Sequence, residues 1–209
     1  KLGTQNNNWS NQGSAGRSGF NASIVELSNL RGEVNVREVY KPKLDSPISD
    51  LRLHWDGNRM MFTQLCNDRR WNIFEVQLDG TGFHPLIENE EPDLEFYDGT
   101  YLPDGRIIAT SNIGYQRVPC LSGSNPVGNM VIYDPKDHNL RLTFDQDGNW
   151  NPVIMNNGRV MYTRWEYTDL THYYSRIVMH MNPDGTENKA LYGSGSMFPN
   201  STFDVQPIP

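Results

Sequence analysis

Apolar and polar residues alternate along most of this chain in short runs, and turn residues separate the runs. Val34, Val36 and Val39 alternate with polar neighbours from Gly32 to Tyr40 (GEVNVREVY), and Ala22 to Leu27 (ASIVEL) forms a shorter apolar run. A period of two places every second side chain on one face, which is the mark of a strand. The pattern is densest from Gly148 to Gly185. There Asn156-Asn157-Gly158 makes a turn, and Arg159 to Arg164 alternates as a strand. An aromatic-rich loop follows, then a second strand from Arg176 to Met181 that ends in Asn182-Pro183-Asp184-Gly185. Asn-Gly and Asp-Gly pairs reverse a chain cheaply because Asn, Asp and Gly tolerate the left-handed backbone of tight turns. The pattern predicts a β-meander and contains no long amphipathic helical stretch.

The same unit recurs. Leu51 to Phe62 (LRLHWDGNRMMF), Gly99 to Ala109 (GTYLPDGRIIA) and Pro152 to Tyr162 (PVIMNNGRVMY) each read as a strand, a glycine turn, an arginine and an apolar strand. The turn glycines Gly57, Gly105 and Gly158 are 48 and 53 residues apart (105 − 57 and 158 − 105). Each copy leads into a second strand pair: Trp71 to Leu78 with Phe83 to Ile87, Asn129 to Tyr133 with Leu140 to Phe144, and Ile177 to Met181 with Lys189 to Tyr192. Four strands in about 50 residues is the size of one propeller blade. Counting an outer half near residues 22–40 and a start near 195–209, about four four-stranded blades are visible. Propellers close with about four to eight blades, so the expectation is an all-β protein, a β-propeller that forms part of a larger ring. Residues 1–20, rich in Asn, Gly and Ser, read as a flexible or loop-like segment, and residues 21–209 as the blades.

Composition narrows the function. The 209 residues are 36% apolar and 21% charged, with a net charge of −7. That acidity gives no electrostatic footprint for nucleic acid, and no run approaches the roughly 18 apolar residues that a spanning helix needs. A chain that opens at Lys1 with no apolar leader is expected of a mature secreted protein or of an excised segment. Cys66 and Cys120 are the two cysteines. Neither forms a C-x-x-C-H segment, so covalent haem attachment of the usual kind is not expected here.

Specific motifs carry a resemblance. Asp79-Gly80-Thr81-Gly82, Asp184-Gly185-Thr186 and Leu102-Pro103-Asp104-Gly105-Arg106 resemble the repeats of TolB-like propellers. From Asp145 to Pro209 the runs TFDQDGNWNP, NNGRVMYTRWEYTDLTHYYSRIVMHMNPDGT, YGSGSMFPNS and QPIP are similar to the middle propeller domain of the hydrazine synthase alpha subunit family. With Leu51 to Phe62 and Tyr101 to Cys120 included, the resemblance covers about three quarters of the chain. It implies a propeller domain of a larger bacterial protein, in an extracytoplasmic (periplasmic or secreted) location. In that family the subunit resembles a haem-bearing scaffold. The enzymatic name does not transfer, because this sequence lacks the haem-attachment segments. An oxidoreductase role would belong to the parent protein, as would any haem or zinc.

The candidate ligand or partner surface is Arg164, Trp165, Glu166, Tyr167 and Asp169, with His172 beside them, at the end of a strand and in the long loop after it. Alternation lets Arg164 and Glu166 share a charge-assisted hydrogen bond while Trp165 and Tyr167 build an apolar wall. The alternative is that these residues tie neighbouring blades together. Cys120 and His172 are the candidate metal ligands, with an inert buried thiol and a hydrogen-bonded loop histidine as the competing readings. His54 and His180 read as sheet surface. Glu88, Glu90, Glu91, Asp93, Glu95, Asp98, Asp145 and Asp147 read as solvated acidic loops, since the spacing lacks a complete calcium loop. No nucleophile elbow, phosphate-binding glycine loop or catalytic carboxylate pair is present. The sequence therefore points to a non-catalytic module that binds other domains or subunits of a larger protein. The alternatives are a scaffold segment of a haem-containing redox enzyme and, through Trp55, Trp71, Trp150, Trp165 and the tyrosines, a glycan-processing or glycan-binding propeller.

Overall fold

The structure is a computed structural model; the residues described are 16–118, 123, 125–134, 138–146, 148–165, 175–195, 198 and 201–208. Its regular elements there are all strands: β1 (Ile24–Ser28), β2 (Asn35–Tyr40), β3 (Ile48–Leu53), β4 (Arg59–Leu65), β5 (Trp71–Gln77), β6 (His84–Pro85), β7 (Phe96–Tyr101), β8 (Ile107–Ser111), β9 (Asn129–Asp134), β10 (His138–Arg141), β11 (Asn149–Ile154), β12 (Val160–Trp165), β13 (Arg176–Met181) and β14 (Lys189–Tyr192). They form three four-stranded antiparallel sheets, β3 to β6, β7 to β10 and β11 to β14, each in chain order, and the two-stranded sheet β1–β2. The chain is a partial β-propeller with three complete blades. The β1–β2 pair stands as the outer half of a preceding blade, and residues 202–208 run where the first strand of a following blade belongs.

The turns form where the sequence supplies their chemistry. In the β3–β4, β7–β8 and β11–β12 hairpins, Gly57, Gly105 and Gly158 all have φ between +70° and +89°. The side chains of Asp56, Asp104 and Asn157 accept the backbone N–H two residues on, at 2.8 to 3.1 Å. Such Asx turns replace a ladder bond that the reversal removes. In the outer hairpins Asp79 and Asp184 do the same for Thr81 and Thr186, taking both backbone N–H and hydroxyl.

The core lies between the sheets. Met60, Phe62, Phe74 and Val76 pack on Ile24 and Val39 of β1–β2. Met61 and Ile73, on the opposite face of the same blade, pack on Phe96, Tyr101, Ile107 and Ala109 of the next. The alternation continues: Ile108, Met130 and Ile132 meet Val160, Tyr162, Met179 and Met181, while Val153, Met161 and Val178 turn to Val205. Both faces of each middle strand are therefore buried, which is why β4 and β8 read as nearly continuous apolar runs.

Gly80 shows how tightly the first interface closes. It has φ +91°, and a Cβ there would lie 2.8 Å from the Val39 carbonyl of β2. Gly80→Ala combines left-handed strain with a backbone clash, so it is expected to cost about 1–3 kcal/mol. Chemical denaturation of the variant checks this, and an unchanged midpoint would show that β2 moves aside freely.

Candidate functional site

In an antiparallel meander the links after the second and fourth strands of each blade emerge at one end. The described residues of those links are 66–70, 86–95, 112–118, 123, 125–128, 142–146, 148, 175, 193–195, 198 and 201. Hydrogen bonds from side chains and backbone stitch this end together within and between blades. Arg70 donates to the carbonyls of Glu91 and Leu94. Asn112 accepts the Glu95 N–H at 2.9 Å and donates to Asp93 O at 2.8 Å. Asn149 N–H reaches Gly128 O at 2.8 Å, and Arg141 reaches Gln116 Oε1 at 3.2 Å.

Arg164 and Trp165 sit at this end and point apart. The Arg164 guanidinium donates to Asp145 Oδ2 (3.0 Å), Tyr162 Oη (2.9 Å) and Asn149 Oδ1 (3.2 Å). Burial pushes the Tyr162 phenol up to about 12, against the pull of the Arg164 charge. Trp165 is buried at 1% exposure, in a cluster with Trp150 and with Val118 and Val127 of the preceding blade. The buried Arg176 lies 4.5 Å from the Trp165 ring and 5.7 Å from that of Trp150. A desolvated guanidinium over an indole is worth about 2 kcal/mol. Trp165 thus holds two blades together and presents no wall to solvent. Glu166, Tyr167, Asp169, His172 and Cys120 lie outside the described residues. Among the described residues no three His, Cys, Asp or Glu side chains gather as a metal-binding group. Cys66 is free, and burial raises its thiol.

The other expected sites resolve as follows. His180 accepts from Arg159 Nε at 2.7 Å, and burial, then that cation, lowers its pKa. His54 lies 2.9 Å from Asp56 and edge-on to Tyr101. Tyr101 of the second blade donates to the buried Glu75 of the first at 2.8 Å. Of the four tryptophans proposed for glycan stacking, Trp71, Trp150 and Trp165 are buried and Trp55 is exposed. The acidic run divides. Glu88, Glu90, Glu91 and Asp93 are exposed, but Glu95 and Asp98 are buried, which corrects the reading of one solvated loop. The physical reason is that β7 begins at Phe96, so Glu95 and Asp98 already belong to the packed blade.

Asp98 belongs to a series that sequence reading missed. Asp50, Asp98, Asn151 and Asp204 all adopt left-handed φ, from +48° to +56°. The first three interrupt their first-strand ladders with a register shift at that point. They are 48, 53 and 53 residues apart (98 − 50, 151 − 98, 204 − 151), and the first three stand seven before each turn glycine. The first strands β3, β7 and β11 pack side by side, so the four residues form a row down the inner side of the stack. Cross-blade bonds join them. Asp98 N–H donates to Thr63 Oγ1 at 2.9 Å, and Thr63 also bonds Asp50. Asp98 Oδ2 accepts the Asn151 N–H, and Asn151 Nδ2 reaches Asp204 Oδ1 at 3.1 Å. Only Asp, Asn and Gly take such a backbone readily.

Burial, reinforced by Asp50, pushes the Asp98 carboxyl up to about 8, while Arg52, 3.8 Å from Oδ1, opposes the rise. Burial likewise raises the Asp50 carboxyl.

No protein-family model matches this sequence, and no curated protein sequence matches it. Solved structures do. Hydrazine synthase from Kuenenia stuttgartiensis aligns over 76% of this chain and 27% of its own, with a TM-score of 0.58 at 12% identity. TolB from Acinetobacter baumannii aligns over 81% of this chain and 40% of its own, with a TM-score of 0.55 at 16% identity. A TolB-like protein from Agrobacterium tumefaciens aligns over 84% and 68%, with a TM-score of 0.56 at 17% identity. At these identities the likeness shows a fold. The blades resemble those of TolB-like propellers in fold. The chain spans about a quarter and two fifths of the first two proteins.

The Asp98 assignment is testable by pH. The folded carboxyl holds its proton up to about 8, whereas the unfolded one loses it near 3.8. Folded chain therefore binds more protons between those values. Stability from this group is complete below about pH 4 and is lost as pH rises toward 8. Asp98→Asn, which copies the residue at position 151, is expected to flatten the fall in melting temperature over that window. A wild-type slope retained in the variant would refute the assignment.

Proposed function

We propose that this chain is a non-catalytic propeller module of a larger extracytoplasmic bacterial protein, where it binds a partner domain or ligand. The supporting observation is that both ends of the blade stack carry exposed apolar residues among the described residues. On the outward face of β1–β2, Leu27 and Val36 face each other across the ladder at 52% and 65% exposure. At the other end Tyr192 and Phe203 are exposed beside the third blade. A blade buries its two faces against neighbours, and an apolar patch left at each end fits further blades or a docked domain. The extracytoplasmic location rests on the family resemblance of the sequence.

A second reading makes the module a scaffold segment of a haem-containing redox enzyme. The fold likeness to hydrazine synthase favours it. The haem or zinc would then lie in the parent protein. A parent gene without C-x-x-C-H segments, together with a parent protein lacking a Soret band, would remove this reading.

The binding reading is tested with Leu27→Glu/Val36→Glu. Immobilised wild-type chain is expected to retain a partner from its native envelope extract that the double variant loses. Retention of the same partner by the variant, or of none by wild type, would overturn the reading. Because both positions are exposed, the melting temperature should change little.

A further inference from the structure

At the loop-bearing end the segment from Arg17 to Phe20 packs against polar groups of the first two blades. Arg17 Nη1 lies 2.6 Å from Glu95 Oε1, and Nη2 donates to Oε2 at 3.0 Å. The same Nη1 donates to the Arg69 carbonyl at 2.7 Å, and the guanidinium carbon stands 5.8 Å from the centre of the Trp71 ring. The propeller builds this pocket. The Glu95 side chain is 9% exposed and Trp71 is buried, with the Trp71 backbone N–H 3.4 Å from Glu95 Oε1. Two parallel bonds to one carboxylate and a third to a carbonyl match a planar guanidinium. An ammonium, as a point charge, cannot span them.

A second anchor lies two and three residues along. The Asp45 carboxylate accepts the backbone N–H groups of Gly19 (2.7 Å) and Phe20 (2.6 Å). Those two bonds, the Gly19 bond first, hold Asp45 below the usual carboxylate range. Arg69, which lends its carbonyl to Arg17, also donates to Asp45 O at 2.6 Å and so ties the two anchors together. Residues 16–23 belong to no strand, and Ser18 and Gly19 are exposed. An Arg side chain and two consecutive backbone N–H groups thus supply the anchoring contacts described here.

We propose that Glu95, the Arg69 carbonyl, Trp71 and Asp45 form a docking site for an extended arginine-bearing peptide, filled in cis by Arg17 to Phe20 and open to a partner's arginine when that segment lifts away. This rests on the partner-binding reading and names the partner's chemistry. The peptide carries arginine and free N–H groups two and three residues later, so proline is excluded at both places. The net charge of −7 favours such a basic partner. A tethered occupant competes at an effective concentration of about millimolar, so a partner gains access when its own affinity or local concentration exceeds that.

The test uses Arg17→Ala in the full chain and the peptide acetyl-Arg-Ser-Gly-Phe-amide, followed by Trp fluorescence and calorimetry. The variant is expected to bind this peptide at least about tenfold more tightly than the citrulline and lysine counterparts, and more tightly than wild type does. Adding Glu95→Gln, or placing proline at the third peptide position, should abolish binding. Equal uptake of arginine and citrulline peptides, undiminished binding after Glu95→Gln, or no binding to Arg17→Ala would overturn the proposal. Should Arg17→Ala lose its folded circular dichroism, Arg17→Lys takes its place with the same outcomes. The result is independent of the Leu27/Val36 experiment, which probes the outward face of β1–β2.

Discussion

Every blade of this protein must bury two faces, and that constraint organises the rest. A single sheet with Met60 and Phe62 on one side and Met61 and Ile73 on the other has no solvent-tolerant face. It becomes stable between two like sheets. The apolar strands, the spacing of the repeats and the open ends are consequences of that one demand. Polar side chains inside the stack are bridged across blades, as Glu75 is by Tyr101 and Thr63 by Asp98, while others collect in the links.

Local features were the legible part of the sequence. Turn glycines, Asx residues and period-two runs depend on neighbours a few residues away, so the hairpins appear in the chain as written. The repeat spacing gave the propeller because identical units stack in only a few ways. Burial of individual polar groups was not legible in the same way. Trp165 reads equally as an apolar wall or as a tie between blades, and Val118 and Val127 of the adjacent blade decide for the tie. Glu95 and Asp98 read as members of an acidic loop until β7 carries them into the stack. In each case the deciding neighbour lies far off in sequence. The row of Asp50, Asp98, Asn151 and Asp204 was a detectable signal, since three of its members keep a fixed distance from the turn glycines. It was missed because the apolar pattern, which guided the alignment, skips polar positions.

The row also shows how a propeller reconciles curvature with hydrogen bonding. A left-handed residue in each first strand breaks the ladder locally and frees backbone groups. Side chains from adjacent blades satisfy them, as Asp98 does for Asn151 and Thr63 does for Asp98. The strain and its remedy therefore sit in different blades. Asn151 and Asp98 occupy equivalent places with a neutral amide and an acid whose burial favours its neutral form, so the site selects shape and a low charge over a particular residue.

The three first hairpins are all closed by five residues, 54–58, 102–106 and 155–159. At the opposite end the links between second and third strands hold five residues in the first blade, 66–70, and seventeen in the second, 112–128. The first hairpins are thus a fixed gauge, while the links between second and third strands vary in length. Length can be gained or lost in those links without disturbing the stack, because the strands and the first hairpins keep their register. A lineage built from this unit can diversify its longer links while inheriting the first hairpins unchanged.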